Sequence, residues 1–309
     1  MEINRHWFEV EETVKSLPIT FRILANVLAR LPRRAIGNEP IGGWRLSRLA
    51  MRVAANWERQ STACVQTRNG KITLDLLDSR FPWVLNELQC LTELEILQRQ
   101  VLSEGDTFID IGANHGSYSL IASNIVGKTG RVYSVEPRKR LAKLLEHTAS
   151  ANSISNLEVF NFACSDKEGL AELLSNRSSN SGSGSLHASN EHCSSGESVS
   201  VTTLDKLILG KHCGGTILVK IDVEGHELFV IRGGIEFIRT NNPLVVFELN
   251  PTRLVSARYS AEEIIQELTG VGYRRFSTLK NIDRWVTAGE IDFEKKEDWI
   301  AYSNNAFVI

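Results

Sequence analysis

Two stretches of this sequence carry side chains that can do chemistry. The first is Asp110-Ile111-Gly112-Ala113-Asn114-His115-Gly116. The second is Asp222-Val223-Glu224-Gly225-His226-Glu227. In the first, an acid lies at the end of an apolar run and two glycines follow. Glycine reaches backbone conformations closed to other residues and lets a ligand approach the main chain closely. Twenty residues after Gly116, a further apolar run ends in Glu136. An acid so placed can accept hydrogen bonds from ribose hydroxyls. In the second stretch, Asp222, Glu224 and His226 stand at alternate positions after an apolar run. Carboxylates and imidazoles are the groups that take a proton from a weakly acidic hydroxyl.

The glycine pattern narrows the cofactor. A dinucleotide fingerprint, G-x-G-x-x-G, needs a third glycine to pack helix on strand beside a pyrophosphate. Ser117 stands at that place. A P-loop needs Gly-Lys-Ser/Thr, which is also absent. An acid at a strand end, a glycine turn and a second acid after the next strand instead fit S-adenosylmethionine, which has an amino-acid end and a nucleoside but no phosphate. Asp110 would face the amino-acid portion, directly or through water, with Gly112 and Gly116 allowing close approach. His115 reads as a neighbour of cofactor or substrate rather than a base.

The elements that must position these groups follow from periodicity. Residues 108–111 read as a buried strand, Ser117–Val126 as a helix, 131–136 as a strand and 138–151 as a helix with Leu141, Leu144 and Leu145 on one side. Residues 157–163, 216–221 and 243–249 read as strands, 171–174 as a short return strand, and a helix begins at Glu227. Ser260, with Glu263 three residues on, forms a capping box for a helix to Gly270. Residues 273–279 and 306–309 read as closing strands. Upstream, 71–76 alternates like a strand and 87–102 reads as one helix. Short apolar strands between helices mean a mostly parallel sheet covered on both faces. Ligands bind at the carboxyl ends of such strands, where both chemical stretches fall.

Composition sets the remaining bounds. The chain has 309 residues, 42% hydrophobic and 23% charged, with a formal net charge of −2. That is ordinary for a soluble globular protein and gives no global field for nucleic acid, so DNA is not expected as a partner. Residues 1–70 read as a separate helical N-terminal extension, and 71–309 as the main domain. Eight arginines between Arg22 and Arg59 face two acids, Glu39 and Glu58. One reading of that charge is peripheral contact with a membrane surface or an anionic partner. The plainer one is a solvated helical face. No transmembrane segment is expected, because the early apolar run contains Arg22 and Arg30. Five scattered cysteines suit a reducing cytoplasm. The pairs His192-Cys193 and His212-Cys213 lack zinc-site spacing. Residues 175–200, rich in Ser, Gly and Asn, read as a flexible loop, either a flap over the site or a plain surface loop.

Several blocks together resemble the FkbM-type S-adenosylmethionine-dependent methyltransferases. They are Phe108 to Gly116, Glu136-Pro137, Val201-Thr202-Thr203-Leu204-Asp205, Val219 to Glu227 with Gly233-Gly234, and Pro243 to Asn250. The resemblance covers roughly residues 70–309. It implies an α/β class I methyltransferase fold, Rossmann-like, with a seven-stranded mostly parallel sheet whose last strand is antiparallel. It implies methyl transfer, commonly to a hydroxyl of a sugar or of a polyketide-like product. Asp110, Gly112, Ala113, Asn114, Gly116 and Glu136 then form the expected cofactor set. Ala163 stands where many class I enzymes carry an acid, so adenine contacts fall to backbone there or to Ser165 and Asp166.

Asp222, Glu224 and His226 are the catalytic candidates. Each has a plainer role, respectively fixing the turn, capping the following helix and supporting a neighbour. Asp222, Glu248 and Asn250 offer oxygen ligands of the kind Mg²⁺ takes, without a committed metal site. The acceptor expected is a glycan or small metabolite. The competing functions are an RNA methyltransferase that uses the basic N-terminal region, and a catalytically silent cofactor-binding partner protein.

Overall fold

The computed structural model describes residues 61–78, 80–176, 181–186 and 193–303. The N-terminal helical expectation over 1–60, the closing strand at 306–309 and His192 lie outside them.

Two hairpin strands, β1 (Thr62–Thr67) and β2 (Gly70–Asp75), open the described chain and pair antiparallel across Arg68-Asn69. The sequence reading placed 62–67 in the helical extension. The structure corrects this, because Ala63 and Val65 alternate with exposed residues and pack with Ile72 and Leu74. Helices α1 (Phe81–Gln89) and α2 (Glu93–Val101) follow. The single helix expected over 87–102 is therefore two. Cys90 turns to an extended conformation, and Thr92 starts a new helix by accepting a bond from the Glu95 amide at 3.2 Å. Apolar periodicity runs through such a break unchanged, so it does not show in the pattern.

The main sheet begins with β3 (Thr107–Ile111), α3 (Ser117–Val126), β4 (Arg131–Val135), α4 (Lys139–Ala151) and β5 (Leu157–Phe160). The strand expected over 157–163 ends early. Ala163–Cys164 (β6) leaves the main sheet and pairs with a separate arm of β7 (Gly169–Asn176) and β8 (Cys193–Thr202). For residues 175–176 and 193–200 this arm corrects the structureless reading. β7 and β8 pair antiparallel through Asn176 and Cys193, and Leu173, Val199 and Val201 form a small core with Ala163.

After α5 (Leu204–Ile208) come β9 (Ile217–Ile221), α6 (Glu227–Gly233), α7 (Ile235–Asn241), β10 (Leu244–Leu249), α8 (Pro251–Ala257), α9 (Ala261–Gly270), β11 (Arg275–Thr278) and β12 (Glu297–Tyr302). The Ser260/Glu263 capping box is present. The closing strand within the described residues is β12, which the sequence reading did not identify.

The seven strands lie in the order β11-β12-β10-β9-β3-β4-β5, and β12 alone runs antiparallel to its neighbours. β3, β9 and β10 are buried along their whole length, as expected of strands covered on both faces. On one face, Ile109, Ile111, Val219, Ile221, Val245 and Phe247 pack with residues of α5, α6, α7 and α9. On the other, Phe108, Val132, Leu218, Val246 and Ile300 meet α2 and α3. The crossovers bring the carboxyl ends of β3, β4 and β9 together.

Removing the cap between the two early helices tests why the chain breaks there. Thr92→Ala is expected to destabilise the protein by about 1 kcal/mol or more, read as a lower urea midpoint at unchanged m-value.

Candidate active site

β3 and β9 are parallel neighbours in a register that pairs Asp110 with Lys220 and Ile111 with Ile221. The Asp222 amide donates to the Ile111 carbonyl at 3.1 Å. The glycine turn therefore comes off β3 directly against the residues that leave β9. Its amides at Gly112 and Ala113 donate to the Val135 carbonyl at 3.0 and 3.1 Å, which draws the turn to the end of β4 beside Glu136. Gly112 has φ +78, and a side-chain carbon there would collide with the Asp222 carbonyl oxygen. Gly116, with φ +82, precedes α3, and a side chain there would strike Leu145. Only glycine satisfies both positions.

A cleft of about 880 Å³, its open mouth included, lies at these strand ends. Gly112, Ala113, Asn114, Glu136 and Ala163 line it. So do Asp222, Glu224 and His226. Asp110, Gly116 and Asp166 are not among the lining residues. Asp110 is 1% exposed; its carboxylate receives Ser119 Oγ at 2.6 Å and Lys220 Nζ at 3.1 Å. Asp166 receives the Ser165 hydroxyl at 3.1 Å, and Ser165 in turn meets His226 Nε2 at 2.9 Å. Asp166 thus reaches the cleft only through Ser165 and His226.

The Glu136 carboxylate accepts from the Asn114 amide at 2.8 Å and the Arg138 amide at 2.9 Å. Two oxygens offer about four acceptor positions, so capacity remains toward the cleft. Burial pushes its pKa up to about 7, against the lowering effect of the two amides. His115 is fully buried, with Nδ1 on Asn114 Oδ1 at 2.6 Å, and burial pushes it down to about 4. It is neutral near pH 7.

The two cleft acids of the second stretch differ. Burial acts to raise Asp222, but Lys220, 3.6 Å from Oδ2, and Arg80 outweigh it and hold the carboxyl below its usual value. Glu224 is pushed up to about 7 by burial, with the charge of Asp222 adding to it and Arg253, at 3.1 Å, opposing. Glu224 sits at φ +55, an uncommon conformation for its type. The turn is fixed by Glu227, whose Oε1 accepts from the Val223 and Gly225 amides at 3.2 and 3.1 Å. Its other oxygen accepts from Tyr259 at 3.1 Å. His226 is 6% exposed and stacks on Phe229 at 4.7 Å. The Ser165 contact and this stacking fix its ring.

Residues 181–186 reach over the cleft. The Ser181 amide donates to Asp78 Oδ1 at 3.1 Å, its hydroxyl meets the Asn114 side chain at 3.2 Å, and Ser185 Oγ donates to the Glu224 carbonyl at 3.1 Å. Sequence reasoning missed Arg80, Glu87, Lys220 and Glu227. The clearest signal was Lys220, one charge inside the apolar run Ile217-Leu218-Val219-Lys220-Ile221. Glu248 is paired with Lys296 at 2.6 Å. Among the described residues no group of three His, Cys, Asp or Glu side chains is arranged to hold a metal ion.

The sheet order and its single antiparallel strand are those of the class I S-adenosylmethionine-dependent methyltransferase fold. Residues 110–275, more than half of the chain, match the family described as the methyltransferase FkbM domain. The chain belongs to that family of methyltransferases. Among solved structures it is similar to a methyltransferase FkbM from Methylobacillus flagellatus, at 16% identity and TM-score 0.40, over 72% of this chain and 54% of that one. This chain thus spans about half the length of that protein. It is also similar to an S-adenosylmethionine-dependent O-methyltransferase from Thermotoga maritima, at 12% identity and TM-score 0.39, over 81% of each chain. A third similarity is to an Aeropyrum pernix fibrillarin with natively bound S-adenosyl-L-methionine, at 13% identity and TM-score 0.38, over 68% and 73% of the two chains.

The packing at Gly112 yields a test. Gly112→Ala imposes a left-handed conformation costing about 1–2 kcal/mol and pushes on the Asp222 carbonyl. The expected result is a lower melting temperature with S-adenosylmethionine binding lost in calorimetry.

Proposed function

We propose that this protein transfers a methyl group from S-adenosylmethionine to a hydroxyl oxygen of a glycan or small secondary metabolite. The observation that carries the reading is one cleft lined by a glycine turn, by Glu136 and by two unlike carboxylates, Asp222 and Glu224.

The cleft suits the cofactor. The bare backbone at Gly112 admits close approach, and Glu136 retains acceptor positions for ribose hydroxyls. Val135, Pro137, Phe162 and Ala163 offer a largely apolar wall for an adenine. Gly112, Ala113, Asn114 and Glu136 would hold it, while Asp110 and Gly116 support the turn from behind. When bound, it supplies an electrophilic methyl on a sulfonium. The chain must align the acceptor oxygen and receive its proton. Asp222, held ionised, accepts a hydrogen bond from the acceptor hydroxyl and orients it. Glu224, with its pKa near neutrality, takes the proton. His226, held by Ser165 and Phe229, walls the site and keeps water from the reacting oxygen.

The acceptor is a small molecule or glycan rather than DNA. Among the described residues no helix is long and apolar enough to cross a membrane. The cysteines Cys64, Cys90, Cys164 and Cys213 are free, which fits a reducing cytoplasm.

Calorimetry decides the cofactor. S-adenosylmethionine should bind in the micromolar range, and Glu136→Ala should weaken it about tenfold or more through loss of charge-assisted hydrogen bonds. No heat with the cofactor or its demethylated product sinks the reading. A mass-spectrometric screen of cell glycans and metabolites for methylated products then identifies the acceptor. With it in hand, kcat/KM should rise with pH through about 7, because a base works only when ionised. Glu224→Gln should cost about a hundredfold or more and flatten that rise.

A further inference from the structure

Resting on this reading of the cleft, we propose that Lys220 is a positioning residue that locks the cofactor turn and the acceptor carboxylate Asp222 into one unit. All five residues of β9 are buried, and Lys220 is 6% exposed. A buried ammonium is tolerated only when paired and hydrogen-bonded. The Lys220 ammonium donates two hydrogen bonds and makes one further ion pair. Nζ lies 3.1 Å from Asp110 Oδ1, 3.4 Å from the Gly112 carbonyl and 3.6 Å from Asp222 Oδ2. These acceptors belong to the end of β3, to the glycine turn and to the residue leaving β9. The Tyr118 ring face is 5.9 Å from the ammonium.

Both oxygens of Asp110 are engaged, since Ser119 donates to the other one at 2.6 Å, and the side chain is buried and does not line the cleft. The acid at the head of the glycine turn therefore acts on the site through Lys220 rather than by touching a ligand. Asp222 differs: its side chain is 38% exposed and lines the cleft. Lys220 holds one of its oxygens while acceptor capacity stays open. Burial works against the ammonium, but Asp110 and Asp222 outweigh it and keep Lys220 protonated. It therefore cannot serve as the base. Its effect on chemistry passes through the charge and placement of Asp222.

Other charges also bear on Asp222. Arg80 and Lys296 lower its pKa alongside Lys220. Glu224, Glu227 and Asp298 feel its charge in return, and Glu248 stands among them. Of the positive groups Lys220 is the one that also bonds the turn, so its removal should be felt at both places.

The test is a carbon-detected NMR titration of the Asp222 carboxylate in the full chain, assigned with Asp222→Asn. Lys220→Met should raise its midpoint by about one pH unit or more, and Lys220→Arg should return it toward the wild-type value. If Lys220→Met does not fold, Lys220→Met combined with Asp110→Asn leaves no unpaired buried acid beside the gap and takes its place. A purely structural role would lower the melting temperature without moving the titration. An unchanged midpoint overturns the proposal, as does a shift that arginine leaves in place. Calorimetry with S-adenosylmethionine on the wild type keeps the two readings apart. Absence of binding would sink the cofactor reading, while the titration would still decide the part played by Lys220.

Discussion

The pairing of β3 with β9 is the constraint on which the site depends. Asp110 and Lys220 are partners across that pair although 110 residues separate them. A one-residue slip would turn every side chain of β9 to the opposite face. Lys220 would then enter the apolar layer of Ile111, Val245 and Phe247, where an unpaired ammonium is prohibitive. The same lysine that looks out of place in an apolar strand thus helps select the register. Once the register is set, the Asp222 amide meets the Ile111 carbonyl and the glycine turn has one place to go.

How much of this could be read beforehand depended on how local the cause was. The helix Ser117–Val126 and the capping box at Ser260 were legible because a few neighbouring residues determine them. Strand β12 was not. Its sequence, Glu-Asp-Trp-Ile-Ala-Tyr, begins with two acids, and its burial comes from insertion between β10 and β11. Of the arm only the short return strand at 171–174, within β7, was legible; its apolar positions are few, and pairing rather than composition orders β7 against β8. Among site residues, the cleft positions of Gly112, Glu136, Asp222 and Glu224 follow from the rule that strand carboxyl ends make ligand sites. The inward turn of Asp110 does not follow from it. Ser119 and Lys220 had to be placed before that acid could be seen as already engaged.

The two carboxylates that share the cleft with the glycine turn show how one short segment yields groups of different character. Asp222 and Glu224 are two residues apart, and both are partly buried. Asp222 faces Lys220 and Arg80, so opposite charge overcomes desolvation. Glu224 has Arg253 beside it but also the charge of Asp222, and desolvation prevails. Neighbouring acids whose environments push their pKa values apart are suited to separate tasks, one permanently charged and one exchanging a proton near neutrality.

That division requires the turn itself to stay fixed, and its backbone is not relaxed. Glu224 adopts φ +55 and Gly225 φ +97. Such conformations persist only where their surroundings over-determine them. Here the determinant is Glu227, the first residue of the following helix. Its carboxylate takes both flanking amides and the Tyr259 hydroxyl, and Tyr259 Oη also lies 3.1 Å from the Gly225 carbonyl. Tyr259 precedes α9, whose capping box begins at the next residue. The conformation of Glu224, the proposed proton acceptor, is thus tied, through one buried acid and one phenol, to the start of a helix packed on the sheet. The turn's strained residue is held by two side chains, Glu227 and Tyr259, that do not themselves line the cleft.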